Sequence, residues 1–338
     1  MWISLIVFGV LFVLWVLAHM KTSRPEGYYI DKKKIHPYRT AMSFIMPSRN
    51  GSVVFFDAYV NAEPLLKYIE EVDFETNVTH ATVGALTIAS DRAPTMNNFI
   101  SGYRMYRRKD WFLTFSMKRK RKDGKSKIAA VKLAAPKYAS FRNLCEDLNS
   151  RITVQRSDKK TKDDKELSFF QWLPRPIFRW MCSFVRWIDY YNLLPKFFID
   201  GDAFYTSIFI ANLGSVNMAA GYHHLYEWGN CPLFIMIGKI TDRPMVEDGK
   251  VVVRKCLHLR YSYDERIDDG LTAGLGIRAG LLALEDPYRY FGCTKADGSE
   301  DFVMRTGHEI PLESDPYPPL SQMTAEQKAE AAELGRTA

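Results

Sequence analysis

The chain of 338 residues carries 46 Lys plus Arg against 39 Asp plus Glu, with 47% hydrophobic and 14% aromatic residues, which excludes a disordered or collagen-like polymer and leaves one or two globular domains. Its five cysteines include no C-x-x-C pair and no Cys/His zinc spacing, arguing against a disulfide framework or a structural metal and for a reducing compartment. Residues 293–338 hold nine acidic and four basic side chains, so the net charge of +7 divides into −5 on the tail and +12 on the body.

In chain order, Trp2 to Met20 is a nineteen-residue apolar run, uncharged apart from His19, and its length predicts a transmembrane anchor over residues 1–20. Lys21, Arg24, Lys32, Lys33 and Lys34 follow, and the positive-inside tendency then puts the main domain of a single-pass membrane protein on the cytoplasmic side. Residues 21–36 read as a basic linker. From 37 to 292, strand-length apolar runs alternate with amphipathic segments, the rhythm of an α/β or α+β domain. Val53–Val60 predicts a strand, Ala62–Val72 a helix begun near Asn61, and Thr79–Ser90 a helix capped by Thr79. Trp111–Met117 and Ile128–Leu133 flank Lys122-Asp123-Gly124-Lys125, a hairpin signature. Tyr205–Asn212, Leu233–Ile240, Val251–Val253 and Leu257–Tyr263 read as strands, Leu271–Leu284 as a closing helix, and 293–338 as a flexible acidic tail.

Two segments read as binding surfaces. Arg104–Lys127 contains eleven basic residues and two acidic ones, a patch expected to meet anionic lipid through Arg107, Arg108, Lys118, Arg119 and Arg121; nucleic acid is the weaker alternative, and a solvated hairpin the plain one. Residues 167–199 form an aromatic insertion in which Trp172, Trp180 and Trp187 would anchor an interfacial helix. Packing on the core or on a neighbouring subunit is the alternative.

The run Tyr261-Ser262-Tyr263-Asp264-Glu265-Arg266-Ile267-Asp268-Asp269-Gly270 resembles the H-x-x-x-D-G motif of the dihydrolipoamide acyltransferases of 2-oxo-acid dehydrogenase complexes and of the related chloramphenicol acetyltransferases. Ile208 to Gly214 is similar to that family's F-T-I-S-N-L-G strand, Met245 to Val253 to its following hairpin, Leu284-Glu285-Asp286-Pro287 to the end of its closing helix, and Pro37 to Met42 to its Arg-containing first helix. The resemblance spans residues 37–292. It implies a chloramphenicol acetyltransferase-like mixed sheet flanked by helices, a homotrimer with active sites between subunits, and coenzyme A or an acyl-CoA as the ligand of an active protein. Only the anchor and sixteen linker residues precede residue 37, so no lipoyl group is expected.

Carried over by position, the family's catalytic His is Glu265 here and its oxyanion-binding Ser is Ala211, while the ion-pair partners Asp269 and Arg39 remain. Asn212, Gly214 and Ser215 follow as candidate cofactor contacts. Proton transfer from a thiol of pKa ~8.5 is uphill by ~2 units to His and ~4 to Glu, a difference of ~3 kcal/mol, and a missing oxyanion donor costs about 10²–10³ more in rate. Two readings follow: a degenerate acyltransferase acting as a scaffold for an unknown protein partner at the membrane, or a rearranged acyltransferase for a lipid or amphiphile. His223 and His224, the one adjacent histidine pair, are the candidates for a relocated base. For Glu265, a salt bridge with Arg266 is the plain structural alternative.

Overall fold

A computed structural model describes residues 2–120, 126–134, 140–156, 172–295 and 297–310. The helices are α1 (Trp2–Met20), α2 (Pro37–Ile45), α3 (Glu63–Glu71), α4 (Val78–Arg92), α5 (Phe141–Arg156), α6 (Arg175–Tyr190), α7 (Lys196–Gly201), α8 (Gly270–Glu285) and α9 (Pro287–Tyr290). The strands are β1 (Gly27–Tyr29), β2 (Val53–Asn61), β3 (Asn98–Ser101), β4 (Arg104–Arg108), β5 (Phe112–Lys120), β6 (Ser126–Ala134), β7 (Ile208–Asn212), β8 (Leu233–Ile237), β9 (Thr241–Glu247), β10 (Lys250–Asp264), β11 (Cys293–Thr294) and β12 (Glu300–Asp301).

Seven strands make the main sheet, in the order β2-β10-β8-β7-β5-β6 with β9 paired to β10. It is mixed, because β7 runs parallel to both β5 and β8 while the other pairs are antiparallel. Period-two alternation divides its faces. Leu257, Leu259, Tyr261 and Tyr263 of β10 enter the large core with Ile208, Ile210, Leu233 and Ile235. Helices α4 and α8 cover that face, and a Cβ on Gly276 would lie 2.8 Å from the Ala93 Cβ, so glycine permits their close approach. On the opposite face Phe209, Ala211, Phe234 and Met236 form a second apolar cluster with Ala220, Leu225 and Cys231 from the segment after β7.

The expectation of a transmembrane anchor is overturned: among the described residues, no helix is long and apolar enough to cross a membrane. At ~1.5 Å per residue, nineteen residues reach ~28 Å, against ~30 Å of hydrocarbon. The last turn of α1 is also engaged elsewhere, since the His19 ring packs 4.8 Å from Tyr191 and its carbonyl accepts from Arg104. The single-pass topology and the cytoplasmic side assigned to the main domain fall with that span.

Smaller differences have local causes. Asn77, rather than Thr79, caps α4, accepting from the N–H groups of Thr79 and His80 at 2.9 and 3.2 Å. The two short strands expected at 251–253 and 257–263 are one, because Arg254 and Lys255 keep ladder pairing with β9. The acidic tail begins later than expected: Phe302 and Ile310 are buried in the core and Val303 bridges Ser140, while 311–338 lie outside the described residues.

A buried polar latch joins the N-terminal segment to the aromatic insertion. Arg24 donates to Glu26 at 2.6 and 2.9 Å, to Asp189 at 2.7 Å, to Asn192 at 3.1 Å and to Ser101 at 2.5 Å. Burial opposes its charge, but Asp189 and Glu26 more than compensate and hold its pKa above the usual guanidinium range.

Candidate functional site

The four acyltransferase-like positions do not converge within one chain. Ala211 stands near the end of β7, buried in the apolar cluster and flanked in register by Ser116 and Met236; its side chain has no donor. Glu265 follows β10 at the opposite end of the sheet, half-buried, with its N–H on the Ser52 carbonyl at 3.0 Å. Tyr263 is in register with Leu233, and Leu233 with Ile208, so Ala211 lies three residues along and two strands across from Tyr263. At ~3.3 Å per residue and ~4.8 Å per strand that is ~14 Å, beyond the reach of one reacting group.

Around Glu265 the charges pair differently from expectation. Arg266 forms a buried ion pair with Asp264 at 2.7 Å, because both side chains follow the strand inward and Ser52 Oγ completes the Asp264 shell at 3.0 Å. Arg39 donates to the main-chain carbonyl of Glu265 at 3.2 Å. Asp269 caps α8 through the Thr272 N–H at 2.7 Å, and no Arg39–Asp269 salt bridge is formed. Burial pushes the Asp268 carboxyl up to about 6, against a hydrogen bond from Thr95.

The candidate cofactor contacts form a turn of their own. Asn212 Nδ2 donates to Thr79 Oγ1 at 2.9 Å, its Oδ1 accepts from the Ser215 N–H at 2.9 Å, and the Ser215 hydroxyl donates to the Asn212 carbonyl at 2.8 Å. A Cβ on Gly214 would meet the Gly238 carbonyl oxygen at 2.6 Å, which explains glycine there without a ligand.

The structure brings the histidine pair onto the sheet face that holds Ala211. The rings of His223 and His224 stack at 4.9 Å and 18° in this irregular segment. His223 also stacks on Phe234 at 3.9 Å, and Ser262 Oγ donates to its carbonyl. His223 Nδ1 lies 2.6 Å from the His224 carbonyl. A carbonyl only accepts, so Nδ1 carries the proton and Nε2 presents its lone pair. Burial lowers the His223 pKa, which keeps this neutral form at pH 7.

Beside it lies a polar cluster that sequence reading missed. Asp57 accepts from Arg260 Nε at 2.5 Å and His258 Nε2 at 2.8 Å, and Tyr222 Oη donates to it at 3.3 Å. The Arg260 hydrogen bond, then that of His258, holds Asp57 down to about 2. Alternation along β10 was the available signal, since it puts His258, Arg260 and Ser262 on one face; the partner on β2 is about two hundred residues away.

The residues expected to face lipid separate. Arg108 is buried and donates to Thr206 and Asn230 carbonyls at 3.0 and 3.3 Å, so its place on a basic surface is corrected. Arg107 is half-buried. The side chains of Lys118 and Arg119, and all of Arg121, lie outside what is described. Trp172, Trp180 and Trp187 are 80%, 66% and 55% exposed, and Phe184 bridges Trp180 and Trp187 by stacking at 5.5 and 6.1 Å. The inner side of α6 packs Val185 and Ile188 against Leu194, Ile199 and Tyr205.

Comparison with known proteins follows the sequence motif. The chain is 56% identical over 48 residues to the dihydrolipoyllysine-residue succinyltransferase component of the 2-oxoglutarate dehydrogenase complex of Cupriavidus necator, covering 14% of this chain and 12% of that protein. It is 42% identical over 60 residues to the lipoamide acyltransferase component of the branched-chain alpha-keto acid dehydrogenase complex of Pseudomonas putida, covering 17% and 14%. The matched stretch is thus about an eighth of those relatives' length. Similar solved structures include a probable dihydrolipoamide acetyltransferase from Listeria monocytogenes, at 14% identity over 74% of this chain and 92% of that one with TM-score 0.49. A chloramphenicol acetyltransferase matches at 11% identity over 77% and 98%, with TM-score 0.46. Residues 204–291 match the catalytic domain of the 2-oxoacid dehydrogenases acyltransferase family, the family whose motif the run ending at Gly270 resembles.

Proposed function

We propose that this chain is an acyltransferase-like domain that has lost ordinary thiol acylation and serves as a binding module, assembled as a homotrimer. The observation that carries the reading is the state of the two catalytic positions: Ala211 is closed into an apolar cluster, and Glu265 has a carboxylate where the relatives' chemistry needs a base close to neutral pH. The combined deficit is on the order of 10⁴ in rate. A trimer is supported by the separation of the positions, which is already ~14 Å from Ala211 to Tyr263, two residues before Glu265, since only residues of different subunits would then flank one thioester. Coenzyme A or an acyl-CoA is the ligand class suggested by the acyltransferase relatives, with the Asn212–Ser215 turn as its candidate contact. The outward Trp180–Phe184–Trp187 stripe is the surface for a protein partner.

Purified protein incubated with acetyl-CoA and dihydrolipoamide should release no coenzyme A above the blank, and light scattering should give three times the chain mass. Turnover that disappears in Glu265→Gln, with the fold intact, overturns the degenerate reading. Binding of α6 to anionic vesicles would assign the stripe to lipid instead.

A second reading has one observation in its favour, the free Nε2 lone pair of His223 on the Ala211 face. Turnover that survives Glu265→Gln and vanishes in His223→Gln would establish it.

A further inference from the structure

A cavity of about 310 Å³ opens between the β3–β4 turn, α6 and the loop around Trp228, within the range of small-ligand sites. Much of its wall comes from outside residues 204–291, so the family match does not account for it. Two of its charged groups are neutralised locally: Asp189 by Arg24, whose second carboxylate partner Glu26 also faces the buried Arg108 charge, and Arg266 by Asp264. Arg49 is different. Its guanidinium donates to the main-chain carbonyls of Tyr226, at 3.0 Å, and of Gly229, partners that satisfy hydrogen bonds without cancelling charge. Desolvation lowers its pKa, as expected of an under-compensated cation.

Arg186 is exposed at the rim and holds its guanidinium 6.0 Å from the Trp228 ring. Opposing these two cations is Glu227, which accepts the Arg49 and Asn50 N–H groups at 3.3 and 2.9 Å. One positive charge is therefore left over in a wall otherwise built from Tyr103 and Tyr190, whose rings meet edge to face at 5.9 Å, and from Trp228. Flat apolar surfaces beside an unbalanced guanidinium select a flat or chain-like body bearing one negative charge.

We propose that this cavity is a binding site for a small aromatic or acyl monoanion, with Arg186 and Arg49 taking the anionic group and Tyr103, Tyr190 and Trp228 enclosing the body. The cavity meets the acyltransferase-like run at Arg266, next to Glu265, but its test needs no coenzyme A. Isothermal titration of the full chain with 2-naphthoate and with its neutral isostere 2-naphthamide reads both parts of the claim. Naphthoate should bind about tenfold more tightly than the amide. Arg186→Gln, a surface change, should remove most of that preference. Val185→Trp, which fills the cavity from α6, should abolish binding of both, with circular dichroism confirming an intact fold. Equal affinity for acid and amide, naphthoate binding that survives Val185→Trp, or no naphthoate binding at all would each overturn the proposal.

Discussion

Replacing Arg24 by Leu tests whether the latch is the main tie between the N-terminal segment and the aromatic insertion. Side-chain exposure is 1% for Arg24, 3% for Glu26 and 16% for Asp189, so solvent cannot take over the lost interactions. Removing one partner from a buried ion network typically costs about 3–5 kcal/mol, because carboxylates remain desolvated without their cation. Arg108 is nearby, but its link to Glu26 runs through Asn230, which donates to Glu26 at 3.0 Å. At an m-value of about 3 kcal/mol/M, the urea midpoint should fall by about 1–1.7 M. Adding Asp189→Leu should recover at least about 1.5 kcal/mol, since the double change also removes one stranded carboxylate. Limited proteolysis of Arg24→Leu should cut first within 172–201. A loss below about 1 kcal/mol, or a double variant whose loss equals the sum of the singles, refutes the reasoning.

Asp268→Asn should stabilise the protein at pH 7–8. The folded carboxyl titrates near 6, above its unfolded value of 3.8, so the native state holds the extra proton between those values and stability falls as pH rises through that window. About 3 kcal/mol is lost by pH 7, and the Asn variant should show a flatter urea midpoint from pH 4 to 7; an unchanged slope counts against it. Nitrogen NMR of His223 at pH 7 should find the proton on Nδ1, and a proton on Nε2 would remove the basis of the relocated-site reading. Ala211→Ser with Glu265→His should raise thiol acylation from acetyl-CoA above the wild-type background, whereas each single change should not. Failure of the double variant in a light-scattering trimer would show that the segment after Asn212 closes the site.

The sheet was legible because its strands carry their own pattern, alternate apolar residues in β10 and continuous ones in β8. The Pro37–Met42 helix and the closing helix were legible from the resemblance and from apolar spacing. Charge pairing was not. A run of basic residues gives no sign that Arg108 turns inward, because burial is set by Asn230 and Thr206, far along the chain. Asp264, rather than Glu265, pairs with Arg266 for a similar reason, the inward direction of the last β10 side chain. The β3–β4 pair escaped notice because its outer residues are arginines, and the cavity because its walls come from six separate segments.

The position of β10 between β2 and β8 also orders the assembly of the sheet in time. Its pairing with β9 closes a turn of two residues, Asp248 and Gly249, whereas its pairing with β2 must close a loop of about two hundred residues. Loop entropy makes the second closure costlier by about 3–4 kcal/mol. The β8–β10 unit, which lies inside the family match, is therefore set to form early, with the N-terminal strand zipping on afterwards as an edge. Run in reverse, the same asymmetry makes β2 the first strand to leave, and its departure uncovers His258, Arg260 and Ser262 while the matched core still holds.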